Sequence, residues 1–314
     1  MLGRVPEHKS LFRAPVGKGL PIGNLTSQFF ANVYLHQLDR FVKHHLQCRF
    51  YLRYVDDFIL LSPEPAELDF WKQEIAGFLQ HRLLLELKPG ARIRRVSEGA
   101  DFLGYIVRPG YRLCRRRVVN NLKLRLEEFA ARQCRCITVG PVLVECLHSP
   151  PAETARLRQV MASYFGHFKH ADTWNLRCSL FARYPWLELL FQLQGRCLRE
   201  RFNYSGVWCS LRQQVAFFRQ RLPFDAVVLV QVGAYCEIYD GDVRRLAGPL
   251  RLWSRAGFRG MDLASGRRRG SERRLIETIL AAGFSVAVFR ETGSPGRYLK
   301  ERALYEFYRI MAPG

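Results

Sequence analysis

Phe50-Tyr51-Leu52-Arg53-Tyr54-Val55-Asp56-Asp57-Phe58-Ile59-Leu60-Leu61-Ser62 is two short apolar runs broken by a pair of acids. Runs of this length, rich in aromatic and β-branched residues around a polar break, predict a β-hairpin with the acids at its turn. Adjacent carboxylates repel each other, and an apolar setting adds a desolvation cost. A divalent cation relieves both, and enzymes of nucleotidyl transfer hold Mg²⁺ between such carboxylates. Read alone, Tyr54–Asp57 fits an ordinary solvated acidic turn better. Its neighbours decide the matter.

Upstream, Gly19-Leu20-Pro21-Ile22-Gly23-Asn24-Leu25-Thr26-Ser27-Gln28-Phe29-Phe30-Ala31-Asn32 is a glycine-containing loop running into a helix, which apolar residues at helical spacing extend to about His45. Glycines before a helix let backbone approach a ligand closely. Downstream, Pro65 to Leu83 predicts a helix with proline in its first turn. Short strands are expected around Leu85, Ile93, Phe102–Val107 and Tyr111–Leu113, then helices over Val118–Glu128, Ala152–Gly166 and Trp186–Arg199. Beyond Pro223, VVLVQV, AYCEIY, SVAVFR and YEFYRI read as strands, with helices at Asp242–Leu246 and Glu272–Ala282 between them. That change of pattern places a boundary near 220.

Charge narrows the partners. The 314 residues carry 49 Lys/Arg against 28 Asp/Glu, a formal net charge of +21, so a polyanion is the expected complement. From Ala91 to Arg135 there are twelve Lys/Arg and four acids, with aromatics interleaved, which suits a nucleic-acid channel. A membrane is the weaker reading: no apolar run approaches the roughly 18 residues of a spanning helix, and MLGRVPEHKS is no signal peptide. The nine scattered cysteines include no CxxC pair; they read as reduced, buried thiols in a cytoplasm. His44, His45 and Cys48 lack an evident fourth ligand, so a metal site there has little support.

The loop Gly19–Asn32, the hairpin with Tyr54-Val55-Asp56-Asp57, and Asp101-Phe102-Leu103-Gly104-Tyr105 resemble, in order and spacing, consecutive palm motifs of reverse transcriptases. IGNLTSQ, where many relatives read QGxxxSP, looks like the variant in diversity-generating retroelements, whose enzyme copies a template RNA with frequent errors at adenines. Ser163–His170 and Arg183–Trp186 resemble that family's thumb. The resemblance implies that Asp56 ligates Mg²⁺ (or Mn²⁺) and Asp57 supports it. It implies that Pro21, Ile22, Gly23 and Gln28 line the incoming-nucleotide pocket, with Tyr54 near the primer end. Ile22 stands where relatives carry a polar side chain, which implies weaker selection against mispairs. Arg115, Arg116, Arg117 and Lys169 are the expected contacts to template RNA, cDNA and their RNA–DNA hybrid.

Val227–Tyr239, with Tyr235-Cys236-Glu237, resembles the start of MutS domain I, where a Phe-x-Glu signature reads mispaired bases. The resemblance implies that Tyr235 stacks on a mismatched base and Glu237 hydrogen-bonds it. No GxxxxGK[ST] loop accompanies it.

The expected fold class is therefore α+β. A partial palm of antiparallel sheet with helices covers 1–115 and a helical thumb 116–205. A linker spans 206–222, and a small mixed α/β domain of MutS domain I type spans 223–314. Two departures from the family matter. About 18 residues precede the loop and none is aspartate, so the fingers and the first catalytic aspartate are expected to be missing. The chain alone is then expected to be inactive, needing an accessory protein or a fingers-containing chain. Lys88-Pro89-Gly90-Ala91 also replaces the family's lysine pair, leaving Lys88 or Arg92 as the candidate general acid. The expected function is RNA-directed DNA synthesis with a C-terminal domain touching mismatched DNA or hybrid. The alternative is a truncated, non-catalytic nucleic-acid-binding module.

Overall fold

The computed structural model describes residues 24–204, 208–250, 255–256, 261–292 and 299–311. The chain is α+β and divides at Gly110 into two compact units.

In the first unit, helix α1 (Leu25–Arg40) is capped by the Asn24 side chain, which accepts the Thr26 N–H at 3.2 Å. It passes into a π-helical turn, Phe41–His45. Strands β1 (Phe50–Tyr54) and β2 (Asp57–Leu61) form the expected antiparallel hairpin. Helix α2 (Pro65–Leu83) starts with proline, whose missing N–H costs nothing in a first turn. Leu38, Val42, Trp71, Ile75, Leu79 and Leu83 form the core, with Tyr51, Phe58 and Leu60 of the hairpin packed on it. The stretches around Leu85 and Ile93 are not strands; β3 (Ala100–Phe102) and β4 (Tyr105–Arg108) are.

The second unit opens with β5 (Tyr111–Cys114) and α3 (Arg116–Gln133). Then come β6 (Cys134–Val139), β7 (Val142–His148), α4 (Pro151–Phe168), α5 (Trp174–Arg183) and α6 (Leu187–Leu190). Next are β8 (Phe191–Gln194), β9 (Cys197–Glu200), α7 (Leu211–Arg219), β10 (Val227–Val232) and β11 (Tyr235–Tyr239). The unit ends with α8 (Asp240–Leu250), β12 (Arg255–Ala256), β13 (Leu263–Arg268), α9 (Glu272–Ala281), β14 (Val286–Glu291) and β15 (Arg302–Ile310).

Eight of these strands make one mixed sheet in the order β12-β13-β11-β10-β14-β15-β7-β6, with β10 and β14 parallel. Strand alternation sends Val227, Leu229, Val286 and Val288 toward α8 and α9. It sends Val228, Val230, Ala287 and Phe289 into a larger core with α3, α4, α5 and α7. Both faces are covered, which is why these strands read as unbroken apolar runs.

Three expectations are corrected. Of the expected linker 206–222, the described residues 208–222 are no linker, because α7 packs into the larger core through Leu211 and Phe218. Residues 223–314 are not separate from what precedes them, because β15 pairs along β7. Residues 186–199 are not one helix: after α6 the chain turns back through β8 and β9, with Gly195 at φ +55° taking the first loop position. The region read as a helical thumb thus carries two hairpins. Among the described residues no helix is long and apolar enough to cross a membrane.

Candidate acid-pair and nucleic-acid sites

Asp56 and Asp57 sit at the tip of the β1–β2 hairpin, whose last pair is Tyr54 opposite Asp57. The loop is therefore Val55-Asp56, and Val55 has φ +54°. Among the described residues three other two-residue hairpin loops place glycine at this first position, Gly140, Gly195 and Gly233, and the β3–β4 loop places Leu103 there, all at positive φ. That geometry suits the strand twist but favours glycine. A β-branched residue there is strained. Local bonds hold the turn. Arg53 Nη1 donates to the Val55 carbonyl at 2.7 Å, and its guanidinium is fixed by Asp39 at 2.6 and 2.7 Å. Burial pushes the Asp39 carboxyl up, but hydrogen bonds from Arg53 and Tyr51 outweigh it and hold the group below its usual range. Val55→Gly should release the strain, less glycine's extra unfolded-state entropy, and raise stability by about 0.5–1 kcal/mol. Urea denaturation checks this; a fall in stability would mean that the Val55 side chain stabilises by packing instead.

Both carboxylates are open to solvent, at 67% and 49% exposed side chain, and both contact one cation. Lys88 Nζ lies 3.1 Å from Asp56 Oδ2 and 3.5 Å from Asp57 Oδ1. The hydrogen bond to Asp56 raises the Lys88 pKa. The pair borders a cleft of about 490 Å³, lined also by Arg53, Glu86, Lys88, Leu38 and Leu79. Adjacent hard oxygens at an open cleft fit a Mg²⁺ or Mn²⁺ ion that completes its shell with water or phosphate. No third His, Cys, Asp or Glu joins them in a metal-binding group among the described residues.

The other expected pocket residues do not gather here. Pro21, Ile22 and Gly23 lie outside the described residues. Gln28 is exposed on α1 and Tyr54 on β1, and neither lines the cleft.

In the second unit, Arg116 and Arg117 are exposed in the first turn of α3, and Arg115, half-buried, is its N-cap residue. No acid accompanies them in that turn, although the helix dipole disfavours cations there. Lys169, exposed, follows α4. The turn that follows Lys169 is tied to β5, the strand that precedes α3. Asp172 N–H donates to the Arg112 carbonyl at 2.8 Å, and Arg112 N–H donates to Asp172 Oδ2 at 3.0 Å.

Tyr235 and Glu237 differ in exposure. Tyr235, at the β10–β11 tip, is 51% exposed, whereas Glu237 is 3% exposed and accepts the Tyr239 hydroxyl at 2.5 Å. Glu237 sits opposite Gly266, where a Cβ would come within 2.4 Å of the Cys236 carbonyl oxygen. Arg268 pairs directly across from Tyr235, and Arg267, Arg268 and Arg269 are all exposed. The sequence reading passed over this arginine triplet. Its signal is the run Gly266-Arg267-Arg268-Arg269-Gly270, but only the β11–β13 register puts it beside the tyrosine.

The chain matches no protein-family model and no curated protein.

Proposed function

We propose that this is a nucleic-acid-handling protein of the reverse-transcriptase kind, acting in the cytoplasm on template RNA, cDNA and their hybrid. Asp56 and Asp57 hold Mg²⁺, or Mn²⁺, which supplies charge neutralisation for the nucleotide phosphates. Arg53 fixes the turn that presents them. Arg116, Arg117 and Lys169 grip phosphates, and Tyr235 with Arg268 contacts duplex, including mismatched duplex. The observation that carries the reading is the acid pair itself: two adjacent carboxylates held in a strained turn at the mouth of a cleft. Non-glycine strain of this kind concentrates at functional sites. Magnesium is commonly held by one or two carboxylates together with substrate phosphates, so a pair suffices for binding.

One observation favours the second reading, a non-catalytic nucleic-acid-binding module. Lys88 already contacts both carboxylates and offsets one of their two charges. The two readings separate in one experiment: Mn²⁺ binding followed by electron paramagnetic resonance, with and without a deoxynucleoside triphosphate and an RNA-templated primer. Saturable Mn²⁺ that Mg²⁺ displaces, strengthened by nucleotide, supports the polymerase reading. No specific Mn²⁺ alongside salt-sensitive hybrid binding supports the module.

A further inference from the structure

A cationic corner of the second unit carries an exposed aromatic. Four pieces of chain meet there. The turn after α4 is tied to β5 by the reciprocal bonds between Asp172 and Arg112. Arg177 of α5 reaches both that turn and the β8–β9 tip. Its Nε donates to Thr173 Oγ1 at 3.2 Å, and its Nη1 donates to the Arg196 carbonyl. Arg177 is 1% exposed, with its guanidinium 4.9 Å from the Phe165 ring centroid. Its Nη2 has no hydrogen-bond partner among the described residues. Burial and then neighbouring Arg196 push its pKa down. Arg112, Lys169 and Arg196 are exposed around it, and Arg116 and Arg117 follow a few residues beyond Arg112. The acid in the turn, Asp172, accepts a backbone N–H from Arg112.

So many like charges repel unless a polyanion lies across them. Trp174, the first residue of α5, stands directly after the turn and is 53% exposed. Trp71, Trp186 and Trp208 are buried. An exposed indole on the same turn as exposed cations meets the two needs of a single strand, phosphate neutralisation and a surface on which an unpaired base can stack. Paired bases within a duplex keep their faces occupied. We propose that Trp174 is the base-stacking residue of a single-stranded nucleic-acid site, with Arg112, Lys169 and Arg196 holding the phosphates beside it. This rests on the nucleic-acid reading of the second unit and adds a preference for unpaired strand.

The test uses the full chain with a fluorescent twelve-nucleotide oligothymidine and a blunt twelve-base-pair duplex, titrated by anisotropy at two salt concentrations. Trp174→Ala should weaken oligothymidine binding by about 5- to 150-fold and leave duplex affinity and the salt slope unchanged. Trp174→Phe should keep most of the affinity. Light-induced crosslinking of a 5-iodouracil oligonucleotide should mark the peptide containing Trp174. Wild-type binding of the single strand that Trp174→Ala leaves intact would overturn the stacking site while the nucleic-acid reading stands. Binding of neither nucleic acid would overturn both. Equally tight binding of polyglutamate, indifferent to Trp174→Ala, would assign the corner to an acidic protein.

Discussion

Phe218→Ala is expected to destabilise the second unit by about 3–5 kcal/mol, the range for deleting a buried phenyl group. Phe218 is fully buried, its ring stacked on Phe289 at 3.8 Å between centroids and 6° between planes. Phe202 and Trp208 approach it edge-on at 6.2 Å. Phe289 lies on β14, in the middle of the sheet, so the cavity would open where α7 meets the strands. Urea denaturation of the chain, followed by circular dichroism, measures the loss. Phe224, only a few residues on, is 85% exposed, and Phe224→Ala should change stability by no more than about 0.5 kcal/mol. Similar small shifts for both variants would restore the segment to the status of a linker.

The acid pair gives the second large effect, because two substitutions should move metal binding in opposite directions. Asp56→Asn removes one of two charges from the site and should weaken Mn²⁺ binding, measured with nucleotide present, by more than about tenfold. With a fingers-containing chain supplied to restore activity, primer extension should disappear with it, while hybrid binding by the second unit persists. Lys88→Met removes the cation that occupies both carboxylates and should tighten Mn²⁺ binding by up to about fivefold, since an exposed ion pair is worth about 0–1 kcal/mol. An acidic turn without a metal role would leave both variants within twofold of the parent protein.

Local pattern made part of this molecule legible. The hairpin from Phe50 to Leu61 and the helix from Pro65 to Leu83 carry their own signals, alternation about a polar break in one and proline at the first position in the other. The apolar runs of β10 and β14 read as strands for the same reason. The β6–β7 hairpin did not announce itself as part of the C-terminal sheet, because its partner β15 is remote in sequence. Leu187, Leu189, Leu190, Leu193 and Leu198 satisfy a helix as readily as a short helix followed by a hairpin, and Gly195 alone marks the turn. The candidate sites divide likewise. Asp56 and Asp57 stand out as residues, but the Lys88 contact and the placement of Arg268 beside Tyr235 are products of tertiary packing.

The pairing of β7 with β15 also governs how the second unit can be made. On the ribosome, Val142–His148 emerges long before Arg302–Ile310, the strand that will cover its inner edge. Until then the hairpin can pair only with itself, and the hydrogen-bonding groups along β7 remain an open template for other nascent chains. The parallel β10–β14 pair imposes a similar delay, since α8, β13 and α9 come between its strands. Topology of this kind folds slowly. Cutting the gene near residue 220 would therefore yield two fragments with unsatisfied strand edges, dependent on chaperones for solubility, where a cut at the Gly110 division would leave this sheet whole.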